Sequence, residues 1–302
     1  MLGRIGYRIA QLIGRARPVV AVLRIDGPLM PAERLRGGLS FEALRPRIEA
    51  AFRMPGLKAV AVVVNSPGGT PVQAALIMRH LRRLATRHHV PILAFVEDVA
   101  ASGGYLVTLA ADEIFAHPAS LVGSIGVVST GFGFDRAIAR LGIERRVHAS
   151  APAKTRLDPF LPERAEDVAW LAGLQQRLHD WFRHEVEERR GRRLKKEKAE
   201  ILFSGDVWLA EDARALGLID GVGELEDVLR ARFGRDVRLR SVPMRRRRVG
   251  DLLRPVFSGG ARSRGSWGAG TRENRAQETA AALVPEILTA LETEAFWRRL
   301  GL

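Results

Sequence analysis

The chain has 302 residues, of which 46% are hydrophobic and 6% aromatic, a size and composition typical of an α/β protein. It contains no cysteine, which excludes disulfide scaffolds, cysteine-ligated metal sites and cysteine nucleophiles. The net charge of +14 would suit nucleic acid or an anionic membrane, but no nucleic-acid-binding motif accompanies it. We therefore interpret the charge as an arginine-rich, solvated surface and predict no nucleic-acid partner.

Residues 1–18 are predicted to form a basic N-terminal helix, because their apolar residues recur near helical spacing. The sequence has no run of about 18 apolar residues. The basic segment also lacks a small-residue cleavage site. We therefore expect neither a transmembrane helix nor a signal peptide, and we expect a cytoplasmic protein. The basic helix could pack against the domain or lie on the anionic surface of the inner membrane.

Short apolar runs alternate with helical patterns through residues 19–243, which we interpret as one domain. We predict strands over residues 19–25, 58–64, 90–96, 113–116 and 125–130. We predict helices over residues 41–53, 71–87 and 105–111, a helical stretch over residues 162–201, and a helix–turn–helix return over residues 205–229. Because each predicted strand is almost wholly apolar, the fold class should be α/β, with helices around a mostly parallel sheet.

The residues that follow the domain differ from it in composition. Residues 244–275 include a run of arginines and are rich in Gly, Ser and Arg, which is typical of a basic linker. Residues 276–302 have the apolar spacing of a C-terminal amphipathic helix.

The first candidate for chemistry is the Ala-Ser-Gly-Gly sequence at residues 101–104, between a predicted strand and a helix. A sharp glycine turn at this place exposes the side chain of Ser102 at a helix N-terminus. The free N–H groups of such a turn can hold a developing oxyanion. The alternative is that Ser102 simply caps the helix.

A second glycine turn, Asn-Ser-Pro-Gly-Gly at residues 65–69, also joins a strand to a helix. In a parallel sheet the carboxyl ends of the strands meet at one edge, where sites gather. Both turns should therefore lie at that edge, although either could be an ordinary connection. A Gly-Ser-Ile-Gly sequence at residues 123–126 is a weaker candidate of the same kind.

Lys154 stands out because the chain has five lysines against 43 arginines. A lysine can lose its proton in a protein, whereas an arginine cannot, so a Ser/Lys pair can generate a nucleophile. The alternative is an exposed surface cation. No histidine has HExxH spacing, and a Ser–His–Asp triad stays open but unsupported.

Taken together, the segments resemble the signal peptide peptidase A (protease IV) family of serine peptidases. The resemblance follows the order of the family over about residues 19–230. It is carried by residues 62–69 (Val-Val-Val-Asn-Ser-Pro-Gly-Gly), 101–105 (Ala-Ser-Gly-Gly-Tyr), 123–127 (Gly-Ser-Ile-Gly-Val), Lys154 with Pro159 and Phe160, and residues 207–220.

The resemblance implies a role for each matching residue. Ser102 would be the nucleophile, Lys154 the general base, and Ser124 the residue that orients the lysine. The backbone N–H groups of Gly69 and Gly103 would form the oxyanion hole. The glycines expected to shape the site are Gly68 and Gly104. The implied fold is the ClpP/crotonase-like spiral of ββα units.

The implied function is hydrolysis of peptide bonds in extended apolar peptides, such as cleaved signal peptides or misfolded protein segments, without a metal or other cofactor. The resemblance also implies a homo-oligomeric ring in which Ser102 and Lys154 of neighbouring subunits complete each site. A working base should be poorly solvated, and activity should fall in acid as the base becomes protonated. Two alternatives remain: a non-catalytic scaffold at a membrane surface, and a crotonase-type acyl-CoA enzyme.

Overall fold

An eight-stranded sheet forms the centre of the computed structural model, which describes residues 17–31 and 39–243. The main strand order is β6-β5-β3-β2-β1-β8, and β4 pairs with both β3 and β7. Every pairing is parallel except β5 with β6. The strands are β1 (Val19–Asp26), β2 (Leu57–Ser66), β3 (Ile92–Ala101), β4 (Glu113–Ala116), β5 (Leu121–Gly123), β6 (Val207–Leu209), β7 (Gly221–Val222) and β8 (Arg238–Ser241).

Helices cover both faces of this sheet, so the predicted α/β class with a mostly parallel sheet is confirmed. Short 3₁₀ turns occupy Pro152–Thr155, Gly191–Arg193 and Lys196–Lys198. The helices are α1 (Phe41–Phe52), α2 (Pro71–His88), α3 (Gly103–Thr108), α4 (Asp135–Arg140), α5 (Ala165–Arg190), α6 (Ala199–Leu202), α7 (Ala210–Leu216) and α8 (Leu225–Phe233).

The central strands are buried on both sides, which explains why their sequences are continuous apolar runs. Successive side chains of a strand point to opposite faces. In β1, Leu23 and Ile25 therefore face the larger core beneath α1 and α2. Val20 and Val22 face a smaller core that contains Leu229 of α8.

Several predicted boundaries are wrong. Residues 125–130 form no strand; the strand is β5, which ends at Gly123 because Ser124 turns the chain toward the Asp206 carbonyl group. β3 continues to Ala101 instead of turning after residue 96, and α3 begins at Gly103 instead of Tyr105. The predicted return over residues 205–229 contains β6, α7, β7 and α8. These short strands were missed because they exist only by pairing with distant residues.

The predicted linker and C-terminal helix, and residues 1–16 of the predicted N-terminal helix, lie outside the described residues. Of the helices that the structure describes, none combines the length and the apolar character needed to cross a membrane.

A buried ionic network ties α5 to the sheet. The guanidinium group of Arg190, only 3% exposed, donates to both carboxylate oxygens of Asp220 at 2.8 and 3.1 Å. The same carboxylate accepts the Ile114 N–H of β4 at 2.8 Å. Nearby, the buried Tyr105 hydroxyl donates to the Leu218 carbonyl oxygen at 2.9 Å. Burial raises the pKa of Tyr105, so this hydroxyl stays protonated.

We expect Asp220→Ala to lower the free energy of unfolding by about 3–5 kcal/mol, because it leaves the Arg190 charge buried without a partner. Glu226→Ala is the matched control, since it removes an exposed carboxylate from an i,i+4 pair with Arg230 and should cost less than about 0.5 kcal/mol. Urea denaturation of both variants measures the difference. Equal losses in the two variants would contradict a stabilising role for the network.

Candidate active site

Ser102 occupies a strained turn between β3 and α3. Its φ of 51° and ψ of −120° lie in a region that residues with a Cβ rarely adopt, at a cost on the order of 1–3 kcal/mol. The turn is held on both sides, because the Ser102 N–H donates to the Gly123 carbonyl oxygen at 2.8 Å and its own carbonyl oxygen accepts the Leu106 N–H at 3.0 Å.

The hydroxyl group of Ser102 is left free by this arrangement. The residue is partly exposed, and its side chain does not cap α3. Within residues 17–31 and 39–243 it has no hydrogen-bond partner. The alternative interpretation of Ser102 as a helix cap is therefore wrong. A strained turn that presents an unpaired hydroxyl is the geometry expected of a nucleophile.

The Gly68–Gly69 turn lies directly against the Ser102 turn. A Cβ atom at Gly68 would lie 2.8 Å from the Ser102 Cβ and 2.9 Å from the Gly103 nitrogen, so only glycine allows this approach. A Cβ at Gly69 would collide with the Leu29 carbonyl oxygen. Leu29 clamps the turn by donating its N–H to the Gly68 carbonyl oxygen and accepting the Thr70 N–H, both at 2.7 Å.

Two unpaired backbone donors lie side by side in this contact. Neither the Gly69 N–H nor the Gly103 N–H donates a hydrogen bond to another described residue. A Cβ built on Gly103 would lie 3.4 Å from the Gly69 nitrogen, so the two amides are neighbours. Paired N–H donors next to a free hydroxyl can stabilise the negative oxygen that forms when the hydroxyl attacks a carbonyl group.

Two residues at the end of β2 and the start of α3, Ser66 and Gly104, hold the two turns in place. Gly104 packs α3 against the end of β2, where a Cβ would lie 2.5 Å from the Ser66 carbonyl oxygen. The buried Ser66 hydroxyl accepts the Gly68 N–H at 3.2 Å. Sequence reasoning missed the roles of Ser66 and Leu29. Ser66 lies within the glycine-turn motif and could have been noticed, whereas no local pattern indicates the Leu29 clamp.

Ser124 lies at the position equivalent to Ser102 on the next strand. Ala101 of β3 and Gly123 of β5 are partners in the parallel ladder, and each is followed by one of the two serines. Ser124 also has a positive φ of 53°, and its N–H donates to the Asp206 carbonyl oxygen at 2.6 Å. The structure thus brings Ser124 to the same sheet edge as Ser102 and the glycine turn.

Within the described residues, the Lys154 side chain forms no hydrogen bond with Ser102 or Ser124. It lies exposed in the 3₁₀ turn Pro152–Thr155. Among the described residues its side chain has no hydrogen-bond or ion-pair partner. The expectation of a poorly solvated lysine is therefore wrong for the described part of one chain, because no element within residues 17–31 and 39–243 covers this turn.

The turn belongs to an exposed segment, residues 128–160, which we call the arm. Eight large apolar side chains of the arm are between 37% and 82% exposed. Its local packing includes a stack of Phe134 on Phe160, with ring centroids 5.6 Å apart. The exposed apolar residues are Val128, Phe132, Phe134, Leu141, Ile143, Val147, Leu157 and Phe160. So large an apolar surface is typical of a protein–protein contact.

Asp167 fixes the base of the arm to α5. The residue is 2% exposed, and its carboxylate accepts hydrogen bonds from Arg156 at 3.0 Å and Arg164 at 2.8 Å. Arg164 first, and Arg156 in addition, hold the pKa of Asp167 below its ordinary value. The Arg156 guanidinium also lies 4.8 Å from the ring centroid of Trp170. The Lys154 turn is thereby anchored two residues away.

Comparison with known proteins identifies the family of this fold and site. The model of peptidase family S49 matches residues 85–235, which is half of the chain and includes Ser102, Ser124 and Lys154. Among curated proteins, the serine protease SPPA of Arabidopsis thaliana chloroplasts is 31% identical over 69% of this chain and 31% of its own length.

Two further similarities are one to another curated protein and one to a solved structure. A protein named Na(+)/H(+) antiporter NhaA from Brucella abortus is 41% identical over 94% of this chain and 37% of its own length. The chain thus spans about a third of the length of these curated relatives. A mutant of the 1510-N membrane-bound stomatin-specific protease, solved with a substrate peptide, has a TM-score of 0.49 at 16% identity, covering 76% of this chain and 93% of that chain.

The strained backbone at Ser102 leads us to predict how substitutions there change the free energy of unfolding. Ser102→Gly should raise the free energy of unfolding by about 1 kcal/mol, because glycine adopts a positive φ freely and the relief exceeds the added entropy of the unfolded chain. Ser102→Ala removes the hydroxyl but keeps the Cβ, so its stability should stay within about 0.5 kcal/mol of wild type. Denaturant titration of both variants measures this, and a destabilised Ser102→Gly would contradict the strain.

Proposed function

We propose that this chain, which belongs to peptidase family S49, is a serine peptidase that uses Ser102 and Lys154 as a catalytic dyad. The observation that carries the proposal is the free Ser102 hydroxyl beside the unpaired N–H groups of Gly69 and Gly103. This arrangement would supply a nucleophile and an oxyanion hole. Among the described residues no side chain accepts a hydrogen bond from Ser102, and Lys154 is the residue that would supply the base.

In the first half of the reaction, Ser102 Oγ attacks the carbonyl carbon of the scissile peptide bond while the neutral Lys154 amine takes the hydroxyl proton. The carbonyl oxygen becomes an oxyanion that accepts hydrogen bonds from Gly69 and Gly103. The C–N bond then breaks, and Lys154 gives its proton to the departing amine. The product is an ester between the substrate acyl group and Ser102.

In the second half, Lys154 takes a proton from water, and the hydroxide attacks the ester carbon. The oxyanion forms again in the same place. The bond to Ser102 Oγ breaks, Lys154 returns the proton to this oxygen, and the carboxylic acid product leaves. Ser124, at the same sheet edge as Ser102, would accept a hydrogen bond from Lys154 and so hold the amine toward Ser102.

A homo-oligomeric ring would bring the missing base to each site. We infer that the arm of one subunit packs against the Ser102 edge of the next, so that Lys154 of one chain faces Ser102 of its neighbour. This packing would bury the exposed apolar side chains of the arm. It would also remove Lys154 from water, which disfavours the charged ammonium form and favours the neutral amine needed for catalysis.

The proposed substrates are extended apolar peptides, such as cleaved signal peptides or misfolded protein segments. Val72 and Leu76 support this class, because they lie on the first turns of α2 just after Gly69 and are 65% and 42% exposed. An apolar strip beside the two oxyanion donors suits apolar side chains of a bound peptide.

A crotonase-type enzyme could use the same pair of N–H donors but would not need the Ser102 hydroxyl. A non-catalytic scaffold would need neither the N–H donors nor the Ser102 hydroxyl. Labelling with a fluorophosphonate separates the peptidase from the other two functions, because this reagent reacts with an activated serine. Labelling that is lost in Ser102→Ala supports the peptidase, and labelling of neither protein favours the other two functions.

The dyad predicts that Ser102→Ala and Lys154→Ala each lower hydrolysis of a fluorogenic apolar peptide by at least about a thousandfold. Lys58→Ala is the matched control, since Lys58 is also an exposed lysine but lies on β2, and it should keep full activity. Circular dichroism would confirm that all three variants are folded.

Mixed assemblies test the shared site. When Ser102→Ala and Lys154→Ala chains are dissociated, combined and reassembled, some interfaces join an intact Ser102 to an intact Lys154. Activity should therefore return in the mixture although each variant alone is inactive. Full activity of Ser102→Ala would overturn the dyad itself, whereas two inactive variants that never complement would place both residues in one subunit.

The arm makes a separate prediction about assembly. Leu141→Glu puts a charge on a residue that is 74% exposed in the arm, so we expect it to dissociate the oligomer and abolish activity while the monomer stays folded. Ile201→Glu changes an exposed apolar residue outside the arm and should leave the oligomer intact. Sedimentation velocity measures both, and an undisturbed oligomer in Leu141→Glu would contradict the role of the arm.

A further inference from the structure

A cationic cleft lies between α1 and α2, away from the candidate active site. Its volume is about 540 Å³. Residues of the C-terminal half of α2 line one side of the cleft, whereas Gly69 lies before the first residue of that helix. At 1.5 Å per residue, Arg83 is about 18 Å along the helix from Pro71. The lining residues are Arg45, Glu49, Arg53, His80, Arg83, Leu84, Arg87 and His88.

The cleft has more arginine side chains than carboxylates. Glu49 is its only carboxylate, and Arg45 and Arg53 already share this group at 3.2 and 2.8 Å. Arg83 and Arg87 pair with no carboxylate of the described residues. They are four residues apart on α2, so two like charges are neighbours on one helix face, an arrangement that destabilises a helix.

His80 at the edge of the cleft adds an unsatisfied donor. Its Nδ1 lies 3.0 Å from Arg83 Nη2, and because a guanidinium only donates, Nδ1 must accept and the proton must lie on Nε2. Burial, and the Arg83 charge in addition, lower the pKa of His80, which keeps the ring neutral. The residue is 7% exposed, and Nε2 has no hydrogen-bond partner among the described residues. Glu49 Oε1 lies 4.0 Å from Nε2, beyond hydrogen-bond distance.

We propose that this cleft is a binding site for a phosphate group, carried either by a small soluble molecule or by a phospholipid headgroup. The planar guanidinium group donates two parallel hydrogen bonds to phosphate oxygens, and a phosphate has enough oxygens for several arginines at once. A phosphate between Arg53, Arg83 and Arg87 would neutralise the unpaired charges of α2. It would also offer a hydrogen-bond acceptor beside His80, whose Nε2 has none among the described residues.

The test is calorimetric titration of the full chain with pyrophosphate, in wild type and in Arg83→Gln/Arg87→Gln. We expect the double variant to bind at least about tenfold more weakly, because it loses two charge-assisted contacts. Arg238→Gln/Arg240→Gln is the matched control: it removes the same charge from exposed arginines of β8 that do not line the cleft, and its affinity should not change.

Two further experiments identify the source of the phosphate group and test whether the cleft is specific for phosphate. Co-sedimentation with phosphatidylcholine vesicles that contain phosphatidic acid, competed by pyrophosphate, would identify a lipid headgroup; binding of pyrophosphate without vesicle binding would identify a soluble compound. Equal weakening in the two double variants would overturn the site, since it indicates general charge attraction. Equal affinity for succinate, or binding to neither pyrophosphate nor vesicles, would overturn it as well.

Fold controls keep this result interpretable. All four exchanged residues are arginines of regular elements, and removal of the Arg83–Arg87 repulsion should leave the phosphate-free protein at least as stable as wild type. The proposal does not depend on peptidase activity. Ser102→Ala should therefore bind pyrophosphate as wild type does, so failure of the cleft and failure of the dyad are separate outcomes.

Discussion

Direct contact between two backbone turns is the constraint on which the candidate site depends. The Gly68–Gly69 turn touches the Ser102–Gly103 turn with no side chain between them, and the Leu29 peptide groups clamp the first turn from the other side. Any Cβ at Gly68 or Gly69 would separate the turns or displace Leu29. The N–H groups of Gly69 and Gly103 stay neighbours only while the two turns touch. The strands that carry the turns must therefore be rigid.

The sheet supplies that rigidity. β1, β2 and β3 are neighbours in parallel register, and their apolar side chains are buried on both faces. Ser102 and Ser124 both adopt positive φ angles immediately after paired strand residues. A well-packed sheet can hold such conformations because the cost of each, on the order of 1–3 kcal/mol, is small beside the burial of the core. The strain is thus localised where a reactive hydroxyl is needed.

The sequence predicts the parts of the site that depend on local patterns. Apolar runs that end in glycine turns indicate parallel strands with a common edge, and this places Ser102 near Gly69 without any structure. Contacts between distant residues leave no such pattern. The Leu29 clamp lies far from Gly69 along the chain. β6 and β7 have only three and two residues, and the sequence of β8, Arg-Leu-Arg-Ser, is not an apolar run, so none of the three is recognisable without its partner strand. For Lys154, composition suggested a special role but could not indicate that one chain leaves it exposed.

The position of Lys154 is set by α5 and not by the sheet. Asp167 holds Arg156 and Arg164 at the base of the arm, so the lysine turn is anchored at the start of α5, whereas Ser102 lies between β3 and α3. Among the described residues, nothing holds the Lys154 side chain against the Ser102 turn. An oligomer contact that buries the apolar arm would do this and would also displace water from the lysine. In the proposed mechanism, assembly is therefore part of catalysis: the energy gained by burying the arm provides the low-solvation environment that a lysine base requires.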